Sequence, residues 1–252
     1  MTEERRLVVI PTYNEAQNIE LIVDRLRASA PSVDILIVDD NSPDGTGEIA
    51  DKLAGADASV HALHRAAKQG LGVAYLSGFA WGLSRDYDVL IEMDADGSHQ
   101  PEQLPDLLAA LPEADLVLGS RWVEGGRVVN WPLRRKALSR GGNLYVRLAL
   151  GVPLYDATGG YRVFRRATLE GINLESVASE GYCFQVDLAR RVLDAGYRVI
   201  EVPITFVERE YGESKMSSTI VRESLVKVTR WGVRHRADQV RARLNFLRRQ
   251  GH

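Results

Sequence analysis

Two carboxylates one residue apart, Asp94 and Asp96, are the side chains here whose type and spacing point most directly to chemistry. They close the run V-L-I-E-M-D-A-D-G-S-H from Val89 to His99. In an extended chain, side chains at i and i+2 project to the same face, so both acids can lean toward one point where the apolar strand ends. Gly97 then lets the backbone turn away. Such a pair suits a hard cation such as Mg2+, which takes one or two carboxylates and leaves its other positions for phosphate and water. A solvated turn would explain the triplet equally well, so its company along the chain has to decide. Two more polar clusters follow apolar runs in the same way: Thr12-Tyr13-Asn14-Glu15 and Asp39-Asp40-Asn41-Ser42.

These clusters belong to a repeating pattern. Leu7 to Ile10, Ile35 to Val38, Val60 to Leu63, Val89 to Met93 and Leu116 to Leu118 are short apolar runs of the kind buried on both faces of a parallel sheet. Between them lie helical spacings: Ile19, Ile22, Val23 and Leu26 up to Pro31; Ile49, Ala50 and Leu53; a Gly- and Ala-rich helix from Leu71 to Leu83; and the stripe Leu104, Leu107, Leu108 and Leu111 after Pro101. The alternation predicts an α/β domain with a mostly parallel sheet and helices on both faces. In open sheets of this kind ligands bind beyond the carboxyl ends of the strands, so all three polar clusters fall on one edge. After Ser120 the segment R-W-V-E-G-G-R-V-V-N-W-P reads as loop. Helices follow from about Leu133 to Leu150 and from about Tyr182 to Asp194, with an extended run from Arg198 to Phe206.

The composition is that of an ordinary globular chain of 252 residues, 45% hydrophobic, with net charge −2. That balance gives no argument for a nucleic-acid partner. A single cysteine, Cys183, allows no internal disulfide, and the polar start M-T-E-E-R-R has no signal-peptide pattern, so a cytoplasmic location is expected. No apolar stretch reaches the 18 or so residues of a membrane span.

In this order and spacing, L-V-V-I-P-T-Y-N-E, I-V-D-D-N-S-P-D-G-T, K-Q-G-L-G and M-D-A-D resemble the catalytic half of inverting family 2 glycosyltransferases of GT-A fold. Downstream, G-S-R-W-V-E-G-G, N-W-P-L-R-R-K-A-L-S-R-G, G-G-Y-R-V-F, G-Y-C-F-Q and V-P-I-T-F-V-E-R-E-Y-G-E-S-K are similar to the polyprenol (dolichol) phosphate mannose synthases. The resemblance runs from Leu7 to about Met216. It implies transfer of mannose from GDP-mannose to a polyprenyl monophosphate with inversion, using Mg2+ or Mn2+. By motif, Pro11, Tyr13, Glu15, Val38 and Asp40 would line the nucleotide site with Ala95. Asp94 and Asp96 would hold the metal, with Ser98 standing where some members carry Gln. Arg121, Arg209 and Lys215 would surround the diphosphate, and Arg135 and Ser139 the acceptor phosphate. A phosphate monoester is already largely dianionic at neutral pH, so no general base is nominated.

Other residues take plainer readings. Asp44 or Thr46 caps a helix, His61 and His64 are not metal ligands, His99 faces solvent, Cys183 packs, and Trp81 belongs to the core. The glycines of K-Q-G-L-G are a tight helix start. Residues 1–216 read as one catalytic domain. Residues 217–252 read as a basic amphipathic helical segment suited to an anionic membrane surface, or to a membrane partner protein, which would place the chain peripherally on the cytoplasmic face. Two alternatives stand beside the leading expectation: the same fold using UDP-glucose, and a phospho-receiver domain, which would be about half this length.

Overall fold

The computed structural model describes residues 4–177, 182–209 and 225–233. Five strands appear where the apolar runs place them: β1 Arg6–Thr12, β2 Asp34–Asp39, β3 Val60–His64, β4 Val89–Glu92 and β5 Leu116–Ser120. The intervening helices are α1 Ile19–Ser29, α2 Thr46–Ala56, α3 Leu71–Leu83 and α4 Leu104–Ala110. Beyond them come β6 Arg127–Val129, α5 Leu133–Leu150, β7 Arg162–Arg165, α6 Arg166–Gly171, α7 Tyr182–Asp194, β8 Val199–Pro203 and β9 Thr205–Val207. Residues 225–233 are helical.

Seven strands form one sheet in the order β3-β2-β1-β4-β7-β5-β8, and β6 pairs with β9 in a separate two-stranded ribbon. Pairing is parallel except at β7, which runs antiparallel to both β4 and β5. Alternation along the strands sorts the core into two layers. Leu7, Val9, Leu36, Val38 and Leu90 face α3, α5 and α7, whereas Val8, Ile10, Ile35, Ile37 and Ile91 face α1 and α4. Each such fully buried aliphatic side chain contributes about 1.5–3 kcal/mol. The small residues of α3 serve close packing, because a Cβ on Gly78 would overlap Val9, and one on Gly82 would press on Leu7 and Leu90.

The segment after Ser120 is not all loop, since it contains β6. The extended run expected from Arg198 to Phe206 is present as β8 and β9, separated by Ile204, and β7 and α6 follow the glycine pair without having been expected. β7 was hidden because its sequence, R-V-F-R, opens on a charge. Arg162 is fully buried in this sheet and satisfied by the carbonyls of Gly159, Gln185 and Ala157.

Candidate functional site

The loops after β1 and β2 are stitched together by side chains. Asn14 N–H donates to Ser42 Oγ at 3.1 Å, Glu15 N–H to Thr46 Oγ1 at 2.9 Å, and Ala16 N–H to Asp44 Oδ2 at 3.1 Å. Asn14 and Asn41 take positive φ of 60° and 58°, in the left-handed region that Asn tolerates and most side chains avoid. Asp39 is occupied in holding this turn, accepting from Thr12 Oγ1, Ser42 N–H and Ser42 Oγ. Asp44 accepts from both Thr46 N–H and Thr46 Oγ1, one residue before the N-cap of α2, which is Gly45 rather than the expected Asp44 or Thr46. Burial raises its pKa, but the hydrogen bonds from Thr46 and Ala16 outweigh that and leave it lowered.

Asp40 is ion-paired to Arg65, whose Nη2 donates to Gln69 Oε1 at 2.8 Å, and Lys68 Nζ lies 3.8 Å from the centre of the Tyr13 ring. Pro11, Tyr13 and Glu15 are half-buried beside them. Val38 is different: strand alternation sends its side chain into the core, so it can meet a ligand only through its backbone. The reading of the sequence missed Arg65 and Lys68. Their signal was available, because they follow the third strand as the other clusters follow theirs.

β4 ends at Glu92, and the acids stand just beyond it. Asp94 and Asp96 are half-open while Ala95 between them is buried, the alternation expected of an extended segment. Tyr75 Oη, from α3, donates to Asp94 Oδ1 at 2.9 Å, and Gly97 makes the turn with φ of 74°. Ser98 donates to Asp96 Oδ1 from its N–H at 3.0 Å and from its Oγ at 2.5 Å, which orients that carboxylate. Burial raises the pKa of Asp94, and the charge of Asp96 adds to the rise. The Asp96 part of that rise is like-charge repulsion, which a cation shared by the two carboxylates would relieve.

His99 does not face solvent. It is 1% exposed, stacks on Tyr161 at 5.0 Å between ring centres, and accepts the Asp94 N–H on Nδ1 at 3.0 Å. Burial lowers its pKa despite the nearby acids. The ring is therefore neutral, and with Nδ1 accepting, its proton resides on Nε2.

The opposite wall is cationic. Arg121 makes a bidentate pair with Asp156, from Nε at 2.7 Å and Nη2 at 2.6 Å, and Nη2 also donates to Thr158 Oγ1. Asp156 is fully buried and takes three further donors, Arg121 N–H, Asn143 Nδ2 and Thr158 Oγ1. Nothing in its local sequence marked it. Arg135, at the start of α5, stacks on Trp131 with its guanidinium carbon 4.0 Å from the ring centre and is ion-paired to Glu208. Arg209 Nη2 lies 3.2 Å from Asp96 Oδ2, bringing this wall against the acids. Lys215 lies outside the described residues.

Arg121, Arg135 and Ser139 open into a cavity of about 460 Å3 between α5, α7 and the helical residues 225–233. Its other walls are apolar, including Leu138, Val146, Cys183, Val186 and Val228. Leu138 and Leu225 line it and are also exposed, so it opens onto the molecular surface there. Elsewhere along α5, Leu133, Leu144 and Leu148 are exposed, Leu133 to 82%. Among the described residues no helix is long and apolar enough to cross a membrane, and no group of three His, Cys, Asp or Glu side chains could hold a metal.

Residues 7–172 match the sequence profile of Glycosyl transferase family 2. The undecaprenyl-phosphate mannosyltransferase of Micrococcus luteus is 59% identical over 242 residues, 96% of this chain and 100% of that one. The polyprenol monophosphomannose synthase of Mycolicibacterium smegmatis is 57% identical over 240 residues, 94% of this chain and 91% of that one. Among solved structures, the mannosyltransferase PcManGT from Pyrobaculum calidifontis, in complex with GDP-Man and Mn2+, matches with a TM-score of 0.58 at 20% identity, over 95% of this chain and 65% of that one. The likeness to that structure speaks to the GT-A fold.

Proposed function

The chain belongs to glycosyl transferase family 2, and we propose that it transfers mannose from GDP-mannose to the phosphate of a polyprenyl monophosphate, with inversion, giving polyprenyl phosphate mannose and GDP. The observation that carries this reading is the junction of two unlike surfaces in one cavity: a polar wall at Arg121, Arg135 and Ser139, and apolar walls beside it that reach the surface at Leu138 and Leu225. A lipid phosphate has both chemistries in one molecule. The run of α5 from Arg135 to Val146 along the cavity spans about 16 Å, room for the first isoprene units of a longer chain.

In this reading the strand-end loops carrying Pro11, Tyr13, Glu15 and Asp40 receive the nucleotide, with Val38 adding backbone only. Arg65 and Lys68 extend that wall. The diphosphate lies toward Asp94, Ala95 and Asp96, flanked by Arg209, Arg121 and Lys215. Two carboxylates with no third metal-ligating partner among the described residues fit a hard cation that shares its shell with phosphate and water. Mg2+ or Mn2+ bound there would neutralise charge on the departing GDP. Ser98 serves by orienting Asp96. The acceptor oxygen attacks the anomeric carbon as the bond to GDP breaks, and because that oxygen is already anionic the protein need only hold and align it. Arg135 and Ser139 do so from α5.

The exposed leucines of α5 alternate with Arg134, Arg140 and Arg147, and Leu225, Val226 and Val233 are exposed nearby. Apolar side chains among cations suit the surface of an anionic membrane. The cavity opens at Leu138 and Leu225, and a membrane-borne acceptor would enter there. This supports a peripheral position on the cytoplasmic face. Of the basic segment expected from residue 217 onward, residues 225–233 are described and the rest lie outside the described residues.

The test is transfer itself. Release of GDP from GDP-mannose should depend on added polyprenyl phosphate and on Mg2+ or Mn2+, with the product sugar inverted. Asp96→Ala should abolish it. Acceptor-independent GDP release, or full activity in Asp96→Ala, would contradict the assignment.

A further inference from the structure

Adjacent residues just past β9 reach opposite walls of the site. Arg209 approaches Asp96, while Glu208 pairs with Arg135. The backbone there is held from both sides: Val207 N–H donates to Ser98 O at 3.2 Å, and Glu208 N–H donates to Val129 O at 3.1 Å. Glu208 is therefore fixed to the acid loop through Val207 and Arg209, and to the β6 side through its own N–H.

The pairing with Arg135 is one-sided. Only Nη1 donates to Glu208 Oε1, and the flat face of the guanidinium rests on Trp131. Among the described residues the Nε and Nη2 edge makes no hydrogen bond. A guanidinium clamped at one nitrogen and stacked on one face presents its remaining edge in a single orientation, and that edge matches two phosphate oxygens. Without the clamp, a side chain with four torsions would lose rotamer freedom on meeting its ligand.

We propose that Glu208 is a positioning residue for the acceptor: it holds Arg135 so that the Nε and Nη2 edge is ready for the phosphate, and it ties that arginine to the loop bearing Asp96. The proposal rests on the reading of Arg135 as an acceptor-phosphate ligand. Glu208 touches neither substrate and acts only through Arg135.

The test is steady-state kinetics of the full chain with GDP-mannose, Mn2+ and polyprenyl phosphate. Glu208→Gln keeps the size but loses the charge. It should raise the acceptor KM about tenfold, the scale of one charge-assisted hydrogen bond, while kcat and the KM for GDP-mannose stay within about twofold. Introduced into Arg135→Ala, the same substitution should add nothing. Glu208→Asp, one methylene shorter, should raise the acceptor KM by a smaller factor, and it carries the comparison if Glu208→Gln does not fold. An unchanged acceptor KM overturns the proposal. So does a lowered one, which would make Glu208 a competitor of the phosphate, or an effect that persists undiminished in Arg135→Ala. A wild-type chain that transfers no mannose to polyprenyl phosphate would instead defeat the functional reading itself.

Discussion

Glu92, the last residue of β4, stands two places before the first metal-site acid and is fully buried. Burial pushes its carboxyl up to about 8, against the opposing charge of Arg162, whose Nε is 3.8 Å away. The sign of the consequence follows from proton linkage. Its folded pKa exceeds its ordinary value of 4.5, so its contribution to stability is complete below about 4.5 and is lost as pH rises through about 8. Glu92→Gln, permanently neutral, should escape that loss. In thermal unfolding with EDTA present, the advantage of Glu92→Gln over wild type should grow from about pH 5 to about pH 9. An advantage that is absent or shrinks over that range would mean that Glu92 is ionised throughout. Asp156 shows the other way to bury a carboxylate. It is surrounded by donors from Arg121 and Asn143 and fixes the Arg121 guanidinium in the site.

At the scale of elements, the first five strands and their helices were legible in the sequence because each is an apolar run or stripe of one period, ended by Pro, Gly or a polar cluster. The helices Leu71–Leu83 and Leu133–Leu150 emerge with the expected bounds. The strand-end placement of Asp94, Asp96 and Asp40 was legible for the same reason. What was hidden depends on long-range pairing. β7 opens on the buried Arg162, β6 is a three-residue strand whose partner β9 lies far along the chain, and Asp156 and Glu208 are lone acids whose arginines are distant in sequence. His99 was misjudged because only the folded chain brings Tyr161 and Phe206 against its ring. Close packing of α3 on β1 gives an element-scale prediction. A methyl group on Gly78 has no room beside Val9, so Gly78→Ala should destabilise the fold by about 1–3 kcal/mol despite the better helix propensity of Ala. Equilibrium denaturation measures this directly, and a neutral or stabilising effect would show that α3 shifts freely on the sheet.

On the scale of the whole molecule, Arg121, Arg135 and Ser139 border an apolar cavity between α5, α7 and residues 225–233, and that cavity reaches the surface at Leu138 and Leu225. The fold and family leave no place for the phospho-receiver alternative. If α5 rests on the membrane, replacing exposed Leu144 and Leu148 together by Asp should sharply reduce flotation with anionic vesicles without lowering thermal stability. Undiminished flotation would move the contact elsewhere in the chain. The central claim concerns which sugar reaches which acceptor, and one reaction measures it. Wild-type chain, Mn2+, polyprenyl phosphate, tritiated GDP-mannose and carbon-14 UDP-glucose are incubated together and the organic phase is counted. Tritium alone should appear in the lipid fraction, whereas carbon-14 there, or neither label, would contradict mannose transfer to polyprenyl phosphate.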